Sequence, residues 1–259
     1  MKILKLMAVG VLLAQTTPHA RAIATGQVDT FESGATEGWT SGISNPQPPA
    51  NVDTGGPAGA DDHYMRLTAN GDFGPGGKLV AFNQAQWAGD YTAAGVATIT
   101  MDVNNLGANP VTLRLTIGDA PTLSPLNFAA TAAVTVPAGS GWTAVSFAVD
   151  AESLTAVRGS VATALATAKE VRLSHSPNAS RPDNIVASIG VDNIRALPAA
   201  AAPFTTEDVV TALRIAGGLA AATEQELARL NLEETAENRI DLNDVARIAR
   251  KVANLDPNP

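Results

Sequence analysis

Apolar residues alternate with polar residues at a period of two along several short segments, and this period constrains the fold more than any other feature. The apolar positions are Ile99, Met101 and Val103, then Val111, Leu113, Leu115 and Ile117, then Val145, Phe147 and Val149, and finally Val171 and Leu173. Side chains along a strand point alternately to its two faces. The pattern therefore predicts antiparallel strands with one dry and one wet face, and it places Arg114 on a wet face.

Clusters of Gly, Pro, Asn and Asp separate these segments at the spacing typical of an all-β sandwich. We predict such a sandwich over Gln27–Leu197, with its first and last strands as neighbours at 30–32 and 191–194. The alanine-rich segment Ser153–Lys169 has one glycine and no other turn residue, so it predicts a short helix.

The chain begins Met-Lys-Ile-Leu-Lys, continues with the apolar run Leu6–Ala14 and reaches a small-residue site at 20–22. This is the three-part form of a secretory signal, with cleavage expected after Ala22. The run is shorter than the ~20 apolar residues that a membrane-spanning helix needs. We predict an exported protein, extracellular or periplasmic, with no membrane span; attachment to the cell surface stays open.

Composition excludes several classes of function. The chain has no cysteine, which excludes thiol catalysis, redox CxxC chemistry and cysteine zinc sites. Of its 17 basic residues, three lie in the predicted signal, which leaves 14 against 25 acidic residues. A net charge near −11 disfavours nucleic acid and anionic membrane as partners, and is compatible with neutral glycans, divalent cations or a basic protein.

Catalytic motifs are absent from the sequence. Outside the signal the histidines are His63 and His175, and neither has metal-ligand spacing to a partner. There is no G-x-S-x-G elbow and no H-E-x-x-H helix. The adjacent carboxylates Asp61 and Asp62 lie in a glycine-rich segment, where such pairs are usually solvated or bind a cation.

Three tryptophans and Tyr91 divide into two groups by their sequence context. Trp39 and Trp142 each follow a glycine at a predicted strand start, which favours a core position. Trp87 and Tyr91 lie in a polar loop, and we predict that they stack against a sugar ring, because an aromatic face is flat and apolar. The alternative is that they pin the loop to the sheet.

Three motifs in this order resemble the jelly rolls of carbohydrate-binding modules: Val28-Asp-Thr-Phe-Glu-x5-Gly-Trp39, Gly141–Phe147 and Val191-Asp-Asn-Ile194. The resemblance covers about 170 residues and implies a jelly-roll fold with a structural calcium that ties the first strand to the last. The positions here that match such ligands are Glu32 and Asp192. Calcium takes six or more oxygens, so backbone carbonyls must supply the rest. The alternative is a solvated Glu32 and an Asp192 that hydrogen-bonds in a turn or bulge.

The segment 198–203, with proline at both ends, predicts a linker to a helical domain over 204–259. Thr205 or Thr206 can cap a first helix that Gly217 and Gly218 stop, and Thr223 with Glu226 forms a capping box for a second. A third is predicted over about 242–253, burying Val245, Ile248, Ala249 and Val252.

The first and third helices align at an offset of 36 residues, which matches Asp208 with Asp244, Arg214 with Arg250 and Leu219 with Leu255. A duplicated loop–helix unit behind a linker resembles a dockerin domain, in which a calcium loop leads directly into a helix. The resemblance implies calcium ligands in the second repeat at Glu233, Thr235, Glu237, Asp241 and Asp244. The longer glutamates and the uncharged threonine predict weak calcium binding or none.

The first repeat carries no oxygen-bearing side chains at its early loop positions, so it is not expected to bind calcium. The dockerin resemblance also implies that the residues that help to choose a cohesin-like partner are Thr206, Glu207, Leu242 and Asn243. The alternative is a plain, metal-free helical hairpin.

Three functions follow from these observations. The leading one is a secreted, non-catalytic protein that binds polysaccharide and docks through its helical domain. The second is a structural or cell-surface interaction protein with a metal-free helical module. The third is a polysaccharide-degrading enzyme, which needs two carboxyl groups placed across a cleft.

Overall fold

The computed structural model describes residues 22–120, 125–232 and 239–259. The chain divides into two compact units, and the boundary lies between Ala199 and Ala200. Apart from Ala22, the predicted signal segment lies outside the described residues. Across the three described ranges, no helix has both the length and the apolar character needed to cross a membrane.

The described part of the first unit contains thirteen strands and one short helix. The strands are β1 Val28–Asp29, β2 Trp39–Thr40, β3 Ala50–Val52, β4 Tyr64–Asn70, β5 Val80–Asn83, β6 Val96–Asn105, β7 Val111–Gly118, β8 Phe128–Ala130, β9 Val134–Val136, β10 Trp142–Ala148, β11 Thr155–Arg158, β12 Glu170–His175 and β13 Val186–Pro198. The helix α1, Val161–Ala166, lies between β11 and β12.

These strands form two antiparallel sheets. The six-stranded sheet has the order β10-β6-β13-β4-β3, with β1 paired to β13. The seven-stranded sheet has the order β11-β8-β7-β12-β5-β2, with β9 paired to β7. From β4 to β7, successive strands alternate between the two sheets. The predicted all-β sandwich is confirmed. The first strand does pair with the last, with Val28 opposite Arg195, but it lies at Val28–Asp29 and not at the predicted 30–32.

The residues predicted to face inward form the core between the sheets. The alternating apolar residues of β6, β7, β10 and β12 are all buried, as the period of two predicted. In β12 the structure goes further, because Glu170 and Ser174 on the outward face are buried as well. Other residues of the first unit therefore cover the outer face of the seven-stranded sheet near β12.

The prediction for Ser153–Lys169 is correct only in part. The helix is limited to α1, and the preceding residues form the edge strand β11, which pairs with β8. Gly159 separates the two elements. A Cβ atom there would lie 2.4 Å from both the Asn127 side chain and the Leu126 carbonyl, and its φ is +64°. A glycine is therefore required where the chain passes β8.

The second unit contains, in its described part, α2 Thr206–Ala216, α3 Glu224–Leu230 and α4 Leu242–Val252. All three predicted helix starts are confirmed. In the structure each is a capping box, formed by Thr205 with Asp208, Thr223 with Glu226, and Asp241 with Asp244. Phe204, Ala212, Leu230, Ile240 and Ile248 form the core. Of the four residues predicted to be buried in α4, Ile248 is fully buried and the others are half-buried.

Helices α2 and α4 also end in the same way. Gly218 and Asn254 have left-handed φ values of 72° and 56°. The next residues, Leu219 and Leu255, donate their N–H groups to carbonyl oxygens five residues back, each at 2.8 Å. This is the C-terminal cap of the Schellman type. The offset of 36 residues therefore relates both helix starts and both helix ends.

Candidate functional site

A groove of about 380 Å³ lies on the outer face of the seven-stranded sheet. Its floor comes from the outward positions of β7 and β12, and Thr116 pairs directly with Arg172 across these strands. Ser174 lies next along β12. The floor exists because Leu115, Ile117, Val171 and Leu173 point into the core, which forces the residues between them outward.

Two segments wall the groove. Phe128 of β8 and the β11 residues Val157 and Arg158 line one side, and residues 179–182 with Lys78 line another. The loop after β12 is held in place by hydrogen bonds: Arg114 Nε donates to the Ser176 carbonyl at 2.8 Å, and Ser176 Oγ donates to the Arg181 carbonyl at 2.8 Å. Arg114, predicted to face outward, therefore supports the wall.

Three buried polar atoms at the floor have no hydrogen-bond partner among the described residues. They are Thr116 Oγ1, Arg172 Nε and Ser174 Oγ. Thr116 is 4% exposed and Ser174 is 1% exposed. Buried polar side-chain atoms in native structures are nearly always paired. These atoms belong to residues on two adjacent strands that line one cavity, which makes the floor a candidate binding surface.

The orientation of Arg172 is set from two sides. Its Nη2 donates to Glu170 Oε1, and its guanidinium lies over the Phe82 ring, 5.9 Å from the centroid. Gln84 Nε2 donates to the other oxygen of Glu170 at 2.7 Å. With both partners in place, Nε and Nη1 have no hydrogen-bond partner among the described residues.

The structure contradicts the predicted sugar platform. Trp87 and Tyr91 are both 0% exposed. Trp87 Nε1 donates to Asp29 Oδ2 at 2.7 Å, and Tyr91 Oη donates to the Trp87 carbonyl at 2.9 Å. Each ring packs in the core and its polar end finds a partner inside the protein, so neither offers a face to a sugar.

The other two tryptophans differ from each other. Trp39 is buried, as predicted, and its Nε1 donates to the same Asp29 oxygen at 2.8 Å. Burial raises the pKa of the Asp29 carboxyl, against the effect of these indole donors. Trp142 is only half-buried: it lies on the outer face of the six-stranded sheet, edge-on to Tyr64 at 5.3 Å and over Gly190.

A group of carboxylates, hereafter the acidic face, lies on the outer face of the six-stranded sheet: Glu32, Asp62, Asp102 and Asp192. Asp192 is 1% exposed. Burial, reinforced by the three neighbouring carboxylates, raises the pKa of Asp192 to about 7. Asn193, at a bulge with φ of 51°, donates its amide to Asp102 at 3.0 Å and to Asp192 at 3.1 Å.

The structure brings Glu32 and Asp192, the predicted calcium ligands, into the same acidic face. Glu32 Oε1 accepts the His63 N–H at 3.0 Å. Hard carboxylate oxygens are what calcium prefers. However, no group of three or more His, Asp or Glu side chains in the described ranges is arranged to hold a metal ion. The calcium ion at this position stays a prediction.

Neither histidine meets a catalytic partner in the described part of the chain. His63 Nδ1 lies 2.9 Å from Asn51 Oδ1, and His175 Nδ1 accepts the Thr112 N–H at 3.0 Å. Burial lowers the pKa of His175. Asp62 Oδ2 accepts the Ala58 N–H at 2.6 Å, which closes a loop rather than preparing a reaction.

In the helical unit, Asp241 and Asp244 cap α4. Asp241 Oδ1 accepts the Asn243 N–H at 2.7 Å, and the two oxygens of Asp244 accept the N–H groups of Leu232 and Asp241 at 2.6 and 2.9 Å. The other predicted calcium ligands, Glu233, Thr235 and Glu237, lie outside the described residues. Calcium binding by this loop stays a prediction.

The equivalent carboxylate of the first repeat already faces a cation. Two nitrogens of Arg229 donate to the two Asp208 oxygens, each at 2.9 Å, and the same guanidinium donates to the carbonyls of Ala202 and Pro203. The hydrogen bonds from Arg229 lower the pKa of Asp208 to about 2. Asp208 is thus paired with a guanidinium.

The four residues predicted to contact a partner are exposed. Thr206 and Glu207 lie in the first turn of α2, and Leu242 and Asn243 lie in the first turn of α4. Leu242 is 66% exposed. Their positions are equivalent by the offset of 36 residues.

Comparisons with known proteins give distant likenesses. No protein-family model matches the chain, and no curated protein matches it. An exo-β-agarase is similar over 69% of this chain at 12% identity, with a TM-score of 0.49, and the chain covers 26% of that enzyme. The family 11 carbohydrate-binding module from Clostridium thermocellum, in complex with a β-1,3-1,4-mixed-linked tetrasaccharide, is 14% identical, with a TM-score of 0.43 and coverage of 69% and 99%. A tandem domain of family 22 modules from Paenibacillus barcinonensis is 17% identical, with a TM-score of 0.38 and coverage of 69% and 47%.

The groove could not be predicted from the sequence. Its floor residues Thr116, Arg172 and Ser174 are ordinary wet-face residues of predicted strands. One sequence feature pointed toward it: β12 reads Glu-Val-Arg-Leu-Ser-His, which places the charged Arg172 in the middle of a predicted strand. That Thr116 and Arg172 face each other is a property of the strand pairing alone.

Proposed function

We propose that this chain is an exported glycan-binding protein, and that the glycan binds in the groove of the seven-stranded sheet. The observation that carries the proposal is the set of three unpartnered polar atoms at the floor, on Thr116, Arg172 and Ser174. An unpaired buried polar group is unfavourable by roughly 1–3 kcal/mol. Sugar hydroxyls both donate and accept hydrogen bonds, so they can satisfy two hydroxyls and one N–H together.

The apolar lining also suits a sugar. Phe128, Pro125 and Val157 contribute apolar surface to the groove walls. A pyranose ring presents C–H groups on its faces as well as hydroxyls at its edge. Binding pockets typically combine apolar walls with a few placed polar groups, and this groove has that composition.

The carboxylate inventory of the groove favours binding over hydrolysis. Glu170 is the single carboxylate among the described residues that line it. Glycosidases ordinarily use two carboxyl groups on either side of the scissile bond. Glu170 is moreover engaged by Arg172 and Gln84. We therefore propose a non-catalytic role, with the polysaccharide-degrading enzyme as the alternative.

The test uses two matched double variants of the full chain. Thr116→Val with Ser174→Ala removes both floor hydroxyls, and Thr68→Val with Ser188→Ala removes a cross-strand pair from the other sheet. Binding is measured by affinity electrophoresis on a panel of neutral and acidic polysaccharides. We expect the groove variant to lose about tenfold in affinity, because two hydrogen bonds contribute ~1–3 kcal/mol together.

The control variant should bind within about twofold of the parent protein. Failure of the parent to bind any polysaccharide would contradict the proposal, and so would equal losses in both variants. Release of reducing ends from any polysaccharide during incubation would instead favour the enzyme.

We propose in addition that the helical unit is a dockerin-related docking module for a cohesin-like protein. The duplicated helix starts and ends support this, and so does the exposure of Thr206, Glu207, Leu242 and Asn243 at equivalent positions. Because Arg229 neutralises Asp208, the first repeat needs no metal ion. The second repeat would use Glu233, Thr235, Glu237, Asp241 and Asp244 for calcium. A metal-free interaction module is the alternative.

A further inference from the structure

We infer that the glycan bound in the groove is anionic, a polysaccharide with carboxylate or sulfate groups. The inference rests on the proposed function and specifies the class of ligand. It comes from the charges that line the groove, which have the opposite sign to the charge of the protein around them.

The sandwich concentrates its cations at this groove. Residues 22–199 contain eight basic and fifteen acidic residues. Four of the eight basic residues, Lys78, Arg158, Arg172 and Arg181, line the groove, whereas Glu170 is the one acidic residue that does so among the described residues. A fifth basic residue, Arg114, supports the wall. An acidic domain therefore has one locally basic surface, and it coincides with the cavity that holds the unpartnered polar atoms.

Three of these cations are free to receive a ligand. In the described ranges, the side chains of Lys78, Arg158 and Arg181 are exposed, and they form no ion pair and no hydrogen bond. Arg172 is the exception, since one nitrogen is bound to Glu170. Two carboxylates next to lining residues in the sequence form no ion pair with these cations: Asp119 accepts the N–H groups of Leu126 and Asn127 at 3.0 and 3.1 Å, and Asp183 lies beside His175.

A neutral sugar would form no ionic interaction with these cations. Exposed cations remain hydrated beside neutral hydroxyls, so they add little to the affinity for a neutral chain. A carboxylate or sulfate close to one of these cations is attracted to it, and the attraction is stronger at the effective dielectric of a protein surface than in bulk water. Guanidinium groups also match the two-oxygen edge of such anions. The acidic face, on the other sheet, would repel the same chain and direct it to the groove.

The decisive experiment compares three polymers of similar length on the full chain: polygalacturonate, a sulfated galactan and a neutral galactan. Affinity is measured at 50 and 300 mM salt. We expect at least about tenfold tighter binding of one anionic polymer than of the neutral one, and a loss of about tenfold at high salt. The anionic polymer that binds tighter identifies carboxylate or sulfate as the recognised group.

Matched variants separate the groove from the overall charge. Arg158→Gln with Arg181→Gln removes two groove cations, and Arg66→Gln with Arg195→Gln removes two from the outer face of the six-stranded sheet. The same net charge results, and all four side chains are exposed, so the unfolding midpoint should not move. We expect the groove variant alone to lose about tenfold in affinity for the anionic polymer.

Preference for the neutral polymer would overturn the inference and leave the proposed function intact. Binding of none of the three polymers would overturn the inference, and the proposed function fails as well only if the wider panel of polysaccharides gives no binding. Equal losses in the two variants would show that the anionic chain responds to net charge rather than to the groove, and would also overturn the inference.

Discussion

The two outer faces of the sandwich have the same architecture and opposite chemistry. On the six-stranded sheet, Asp102 and Asp192 are direct cross-strand neighbours on β6 and β13, with Glu32 and Asp62 beside them. On the seven-stranded sheet, the corresponding neighbours are Thr116 and Arg172, surrounded by cations. The dry faces of both sheets are equally apolar, so burial constrains the inward residues and leaves the outward residues free to differ.

The faces also differ in how their polar groups are satisfied. On the acidic face, the Asn193 amide bridges Asp102 and Asp192, so the carboxylates have partners within the protein. In the groove, three buried atoms on β7 and β12 have none among the described residues. The polar groups of the acidic face are thus partnered within the protein, whereas the groove floor holds the unpartnered atoms to which we propose that a ligand binds.

The largest effect is expected from Trp87, which belongs to neither face. Trp87→Ala should lower the free energy of unfolding by about 3–5 kcal/mol, because it empties a fully buried site. Trp87→Phe keeps most of the volume and removes the hydrogen bond to Asp29, so it should lose about 1–2 kcal/mol. Urea denaturation measures both. A stable Trp87→Ala protein that no longer binds glycan would break the assignment of binding to the groove.

The second prediction concerns calcium and distinguishes the acidic face from the helical loop. Asp192→Asn and Asp244→Asn each remove one negative charge with little change of shape. Calcium at about ten times its Kd should stabilise the unit that binds it by ~1.4 kcal/mol. We expect calorimetry to show a higher unfolding temperature of the sandwich with calcium in the parent and in Asp244→Asn, but not in Asp192→Asn. If no transition of the parent responds to calcium, the calcium prediction for the acidic face is wrong, and the helical loop is metal-free.

The smallest effect is a pH dependence of the acidic face, measured without calcium in the presence of a chelator. The pKa of Asp192 is about 7 in the folded protein and 3.8 as the ordinary value. Between these values the folded state holds a proton that the unfolded state has released. Stability should therefore fall as the pH rises from about 4 to about 8, by on the order of 1 kcal/mol after allowance for solvent screening.

Asp192→Asn, which cannot ionise, should flatten this dependence in urea titrations, and Asp119→Asn, which changes a half-buried carboxylate near the groove, should not. An equally steep decline in Asp192→Asn would place the titrating group elsewhere.

The net charge of the chain predicted the chemistry of its partners only in part. The sum over the chain is acidic and favoured neutral glycans, cations or basic proteins. It could not show that half of the basic residues of the sandwich meet in one groove. Lys78 is far in the sequence from Arg158, Arg172 and Arg181, and the order β8-β7-β12-β5 with its loops brings the four together.

What depended on local chemistry was readable from the sequence alone. The period of two identified the inward residues of β6, β7, β10 and β12, and the caps predicted at Thr205 and Thr223 located two helix starts. These features depend on residues within one turn or one strand of each other, where backbone geometry leaves few alternatives.

What depended on long-range pairing was decided by the tertiary structure. The loop that holds Trp87 and Tyr91 is polar, yet both rings are buried. The indole N–H of Trp87 donates to Asp29, which lies 58 residues earlier, so the local sequence does not reveal this partner. Thr116 and Arg172 meet because β7 and β12 pair, and no local pattern encodes that choice of neighbour. Strand alternation determines which side chains leave the core, and only the order of the strands determines which of them meet.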